Sequence, residues 1–565
     1  MDRRTFLGTA ASAALFGPNT LRIAQSRSAA TIMLRGALVY DGSGGPPFEG
    51  DVLLNDARIA AVGRRLPVTG VGQVVELRGL ALAPGFIDIH SHTDLGLLIN
   101  PRAESKVRQG VTTEIAGQDG SSLGPWTAEQ HAERREDWRR RRGKDIDFHD
   151  LAGFFRHIER QGAAVNLGSM VGAGTVRGYV IGEQNRPATP AELEQMAALV
   201  TAALGAGACG LSTGLEYLPG GYASREELVA LARPLRGSGL PYTSHLRNED
   251  DDFLAAIEEA IAIGRTAGVP VQVSHLKALG MRNWGKAPLA LAMMESAREN
   301  GVDVMFDVYP YTAYGTALSA TLYPLWAREG GTDAMLARLR DPALRPRLEA
   351  AAREKIAKIG SWDRVQVTAI RSDTLQWALG RRLGELAKER GVDPYELVLQ
   401  LILGDQNGVT IASFAMSDEN VALFLAHPLG IVCSDGEARA TYGPLAEGSP
   451  HPRSYGTFPR VLGRYVREEK RLPLEMAIRK MTALPAARLK LRDRGQITAG
   501  AFADLVAFDP ARVADRATFE QPHQYATGIA HVLVNGKFVV RDGDHTGALP
   551  GRVVRPAARA SMSEG

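Results

Sequence analysis

Two cysteines in 565 residues, Cys209 and Cys433, are too few for a disulfide framework, so the fold must rest on its core. Both read as packed small hydrophobes. The chain also lacks an excess of charge of either sign. Its 66 Lys and Arg stand against 63 Asp and Glu, a net charge of +3, which gives no reason to expect nucleic acid or an acidic membrane as partner. No apolar run is long enough to span a bilayer, so a soluble protein without a stable membrane anchor is expected. What remains is an ordinary globular composition, 45% hydrophobic and 23% charged, at a length that calls for more than one structural unit.

Residues 1–30 stand apart from the fold. "MDRRTFLGTAASAALFG" pairs Arg3 with Arg4, follows them with Phe6 and Leu7, and continues into a short, weakly apolar Ala-rich stretch. It resembles a twin-arginine export signal. That resemblance implies the twin-arginine translocation (Tat) machinery as a partner and a periplasmic or secreted location in a bacterium. The plain alternative is a disordered basic N-terminus.

After the signal, "TIMLRGALVYDGSGG" and "GDVLLNDARIAAVG" alternate apolar and polar residues around Gly-rich turns, the pattern of short antiparallel strands. The far end repeats it in "ADLVAFDP" and "HVLVNGKFVVRDG", with an Asn535-Gly536 turn. Each end has too few strands for a core of its own. We therefore expect residues 31–82 and 492–550 to build one small β-sandwich domain.

The middle, residues 83–491, follows another rule. Eight short apolar runs, "ALAPGFIDIH", "VTTEIAG", "AVNLGSMVG", "ACGLSTG", "LPYTSH", "VPVQVSH", "VDVMFDVYP" and "LGIVCSD", alternate with helical segments such as "SREELVALARPLRGSG". This α/β alternation predicts a (β/α)8 TIM-like barrel, with a doubly wound open sheet as the competitor. A charged, helix-prone stretch at about 316–366 reads as an insertion after the seventh strand.

Active sites of such barrels lie at the C-terminal ends of the strands. The first run ends in His90 and His92, whose i, i+2 spacing puts both imidazoles on one strand face. The second ends at Asp119, the fifth at His245, the sixth at His275 and the last at Asp435. A lone histidine at a strand end is usually a hydrogen-bonded core residue. Four of the chain's 12 histidines at strand ends, with two carboxylates, point to a metal site. His131, His157 and His427 fall in helical or loop contexts and read as structural.

At this point the sequence resembles the amidohydrolase superfamily, and within it the N-acyl-D-amino-acid deacylases. "PGFIDIHSHTD" is common to the superfamily; "SHLK", "DVYPYTA" and "HPRSYGTFPRVLGRYV" are more specific to the deacylases. The resemblance implies a barrel with a small β-domain, and one or two divalent metal ions, zinc first among them. His90, His92 and Asp435 would border one metal position, with His245 and His275 at the other. A metal-activated water would attack the amide of a small N-acyl-D-amino acid or a D-amino-acid-containing dipeptide. Asp435 would be the general acid/base. Lys277, Tyr309 and Arg453 match the positions that hold the substrate carboxylate. Without the resemblance they would read as a surface Lys, a core Tyr and a loop Arg.

One departure stands out. Most deacylases carry Gly-Asn-Cys-Gly where this chain reads Gly117-Gln118-Asp119-Gly120, and the family cysteine is a metal ligand. We expect Asp119 to ligate in its place, with His245 and His275 and reaching toward the second ion; a turn-forming Asp is the alternative. The nearest rival function is a cyclic-amide hydrolase of the dihydropyrimidinase or dihydroorotase kind, which would bridge its metals with a lysine. The fourth run, "ACGLSTGLEY", has none. A rival of another class is a periplasmic binding protein with a dead site, which would not need Asp435.

Overall fold

Strands from the two ends of the chain meet in one sheet. The computed structural model describes residues 31–557, so Arg3, Arg4 and the Ala-rich stretch lie outside the described residues. Thr31–Val39, Phe48–Asn55, Arg58–Gly63, Gln73–Glu76 and Ala81–Pro84 come from the N-terminal side. Leu505–Phe508, Ile529–Val534, Lys537–Arg541 and Asp544–His545 come from the C-terminal side. Together they form a nine-stranded sheet, joined where Ala81–Pro84 pairs antiparallel with Leu505–Phe508. Alternate residues including Leu34, Val52, Leu54, Leu82, Leu505 and Leu533 bury a separate apolar cluster against it.

Because Ala81–Pro84 hydrogen-bonds in that sheet, the chain passes to the next unit at Gly85 rather than at Ala83. Only glycine fits the junction. A Cβ there would lie 2.2 Å from the Thr112 side chain, which is fully buried.

The runs read from the sequence as strands are strands, and they run parallel. Phe86–Asp88, Val111–Ala116 and Asn166–Ser169 form one arc. Val171–Gly172, Leu211–Gly214, Tyr242–His245, Val271–Val273, Val304–Val308 and Gly430–Val432 form another. Met170 alone separates the arcs, and its N–H donates to Ala116 O at 2.9 Å. At the opposite edge Ser91 bridges in parallel to Gly436, and the Asp435 N–H donates to His90 O at 2.9 Å. Helices connect the strands. Pro190–Ala206 shows why they start and stop where they do. Thr189 and Glu192 cap each other's backbone N–H groups, Pro190 begins the first turn, and Gly207 ends the helix at φ +106°.

The excursion between Val304–Val308 and Gly430–Val432 holds the expected helices Gly331–Arg340 and Arg345–Ile359, but it neither ends at Gln366 nor is purely helical. It continues through Leu383–Arg390 and Pro394–Gly404, and it carries an antiparallel sheet of Tyr314–Ala317, Thr410–Ser413 and Val365–Ala369. Strands of four or five residues, far apart in sequence, leave no periodic signal to read. Cys209 and Cys433 are buried and free. Among the described residues no helix is long and apolar enough to cross a membrane.

Candidate metal centre and its cavity

The six strand-end residues converge. His90, His92, Asp119 and Asp435 form one group of potential ligand atoms, and Asp119, His245 and His275 form a second. Asp119 belongs to both. Its Oδ1 lies 3.5 Å from His90 Nε2, and its Oδ2 lies 3.5 Å from His92 Nε2, 3.4 Å from His275 Nε2 and 3.7 Å from His245 Nδ1. Asp435 Oδ1 is 3.0 Å from His92 Nε2 and 3.5 Å from His90 Nε2.

Local backbone conformation aims these groups. Asp119 (φ +52°), His275 (φ +33°) and Asp435 (φ +49°) are all left-handed, a conformation costly for residues with a Cβ and kept where the surroundings over-determine it. The Asp119 carbonyl packs so tightly on Gly214 that a Cβ there would lie 2.1 Å from its oxygen. His131, His157 and His427 lie apart, against Ile146 O, Asp147 and Glu295.

Behind the ligand atoms sits a layer of carboxylates that the sequence reading missed. Asp307 Oδ1 lies 3.3 Å from His90 Nδ1 and accepts the His275 N–H at 2.7 Å. Glu249 Oε1 lies 3.3 Å from His275 Nδ1, and Glu216 Oε2 lies 3.7 Å from His245 Nε2. Carboxylates behind ligating imidazoles fix ring orientation and tautomer. Glu216 follows Leu211–Gly214 and Glu249 follows Tyr242–His245 by only a few residues, the one signal that would have found them, whereas Asp307 lies inside Val304–Val308.

The three residues expected at the substrate carboxylate are placed differently from one another. Arg453 Nη1 donates to Asp435 Oδ2 at 2.5 Å. Lys277 Nζ donates to Glu249 Oε1 at 2.6 Å and meets His275 Nδ1 at 2.6 Å. Both cations line a cavity of about 570 Å³, together with His92, Asp119, His245, His275 and Asp435. Tyr309 is buried behind them, its hydroxyl donating to Met416 Sδ at 3.6 Å and its ring 5.1 Å from the Arg453 guanidinium carbon.

Burial alone would strip protons from the imidazoles, yet the carboxylates outweigh it. Asp119 and Asp435 lift His92 to about 9, Glu249 and Asp119 lift His245 to about 10, and Asp119 with Asp307 lifts His90 well above its usual value. Against the same burial, His90 and His275 hold Asp119 well below the usual carboxylate range, and Arg453 and His275 do so for Asp435. With neutral imidazoles, the ligating state, the cluster carries a surplus of negative charge. His90 Nε2 and Asp119 Oδ1 are buried with no hydrogen-bond partner among the described residues. Orphaned polar atoms of this kind cost about 1–3 kcal/mol each. The donor set fits a divalent cation.

Parallel strands deliver two nitrogen and oxygen donor sets that share one carboxylate at a cavity, the arrangement of a metal-dependent enzyme. Residues 73–540 match the amidohydrolase family, and the chain belongs to it. It is 36% identical over 527 residues to the D-aminoacylase of Alcaligenes xylosoxydans xylosoxydans, covering 93% of this chain and 98% of that one. It is 37% identical over 546 residues to the N-acyl-D-aspartate deacylase of the same organism, covering 95% and 97%. Among solved structures, the N-acyl-D-glutamate deacylase of Bordetella bronchiseptica, complexed with zinc and a phosphonate mimic of the tetrahedral intermediate, superposes with a TM-score of 0.76 at 34% identity, covering 93% and 99%. The dihydropyrimidinase of Brevibacillus agri, at 15% identity and a TM-score of 0.52, shares the fold alone.

Proposed function

We propose that this hydrolase cleaves the amide bond of N-acyl-D-amino acids in a zinc-dependent reaction, and that it is exported. The observation that carries the reading is Asp119, common to both donor groups and facing the same cavity as Asp435 and Arg453. We read the two parallel arcs as one (β/α)8 barrel closed through Ser91 and Gly436. Residues 31–84 and 492–550 are its β-domain, and the paired arginines Arg3 and Arg4 are its export signal.

His90, His92 and Asp435 would hold one ion, and His245 and His275 the other, with Asp119 between them. A divalent ion in these donors supplies a nucleophile at neutral pH and positive charge at the amide carbonyl. The proton chemistry belongs to Asp435. Its Oδ2 is engaged by Arg453, so Oδ1, facing His90 and His92, takes the proton of the attacking water and passes it to the leaving nitrogen. Arg453, with donors to spare beyond Asp435, and Lys277, with one left beyond Glu249 and His275, hold the substrate carboxylate. Tyr309 keeps the two cations in place from behind.

A zinc-loaded preparation screened on N-acetyl D- and L-amino acids, D-containing dipeptides, hydantoin and dihydropyrimidine tests the reading. Release of free amino acid from the D series is expected. Ring opening without release from linear substrates would favour the cyclic-amide hydrolase instead.

A further inference from the structure

Lys106 takes no part in this chemistry, yet it lies fully buried beneath the segments that carry it. It belongs to the short helix Glu104–Val107. Its Nζ donates to Asp88 Oδ2 at 2.8 Å, to Ser434 Oγ at 2.8 Å and to Gly436 O at 3.2 Å, and it pairs with Glu114 Oε1 at 2.9 Å. Three of these partners neighbour the site closely in sequence. Asp88 precedes His90 by two residues, and Ser434 and Gly436 flank Asp435. Glu114 in turn accepts from the hydroxyl of Ser91, which lies between His90 and His92.

We infer that Lys106 is a positioning residue that fastens the first barrel strand to the last and thereby holds Asp435 opposite His92. The lysine occupies the centre of a polar seam. The Ser434 N–H donates to Asp88 Oδ1 at 2.9 Å, the Gly436 N–H to Ser434 Oγ at 2.9 Å, and the His92 N–H to Gly436 O at 3.0 Å. These bonds pin both neighbours of Asp435, whose left-handed backbone needs such over-determination. An ammonium with three rotatable donors can satisfy acceptors from different elements, which no apolar side chain of similar length can do. If stability alone were served, apolar packing would do as well, since a buried cation between carboxylates bears a large desolvation cost.

Two variants test this, Lys106→Met and Lys106→Met/Glu114→Gln. The double variant removes one cation and one anion together, so it keeps the net buried charge and carries the test if the single variant does not fold. The double variant is expected to melt cooperatively with KM within about twofold of wild type, while kcat falls about 10–100-fold. A Co(II) titration read in the visible spectrum should show weakened binding at His90, His92 and Asp435, with the ion at His245 and His275 retained. Wild-type kcat in the double variant, or equal weakening of both ions, would reduce Lys106 to charge neutralisation and overturn the inference. Only the kinetic arm rests on the proposed function. Were the wild type inactive on every N-acyl amino acid, that function would fall while the cobalt titration still judged Lys106.

Discussion

Replacing Asp435 with asparagine separates its two oxygens. Oδ2 accepts the Arg453 guanidinium at 2.5 Å and Oδ1 faces His92 Nε2 at 3.0 Å. An asparagine amide has one acceptor and one donor. Its oxygen must turn toward Arg453, because an NH2 there would meet another donor, so the NH2 faces the imidazoles. The shape survives, but the atom that carries the proton is gone. A positioned acid/base contributes about 10²–10⁴-fold, so Asp435→Asn should lose about 3–5 kcal/mol of transition-state stabilisation. The loss should appear in kcat and kcat/KM alike, since the interaction matters only in the transition state. Release of free amino acid, measured at saturating zinc with metal content and thermal melting in parallel, reads all three quantities. Turnover within tenfold of wild type, with metal retained, would refute the role.

Asp119→Ala should lower bound metal and activity together, whereas Asp119→Cys should restore zinc binding; full metal content in the alanine variant would return Asp119 to turn chemistry. Arg453→Met and Lys277→Met should impair N-acyl amino acids at least ~10-fold more than their uncharged amides, as expected for lost charge-assisted bonds. Because Lys277→Met also strands the buried Glu249, it is best paired with Glu249→Gln, and equal losses on acids and amides would remove both cations from substrate binding. Gly85→Ala forces a methyl against Thr112 and should destabilise the fold by about 1–3 kcal/mol in denaturant melts, and an unchanged midpoint would contradict the packing described.

Much of the site was legible because strand geometry is local. The i, i+2 spacing of His90 and His92, and the polar residue at the end of each apolar run, follow from a period of two and need no tertiary information. Asp119 was legible by the same rule, standing at the end of the second run. The excursion after Val308 was read too short, because its strands pair only with one another across long stretches of chain. Glu216, Glu249, Asp307 and Lys106 were passed over for a related reason. Each looks like an ordinary charged residue until the fold sets it against an imidazole or a carboxylate from another strand. Lys277 and Tyr309 show it most plainly: only the family resemblance marked both for the substrate, while packing gave one a carboxylate partner and put the other behind Arg453. By itself the sequence determined which residues stand at the strand ends and which chemistry they can do, because backbone periodicity and side-chain type are properties of the chain. Which charges are paired, buried or free to meet a substrate was decided only by closure of the strands, which brings residues distant in sequence within hydrogen-bonding distance and removes the water that would otherwise solvate them.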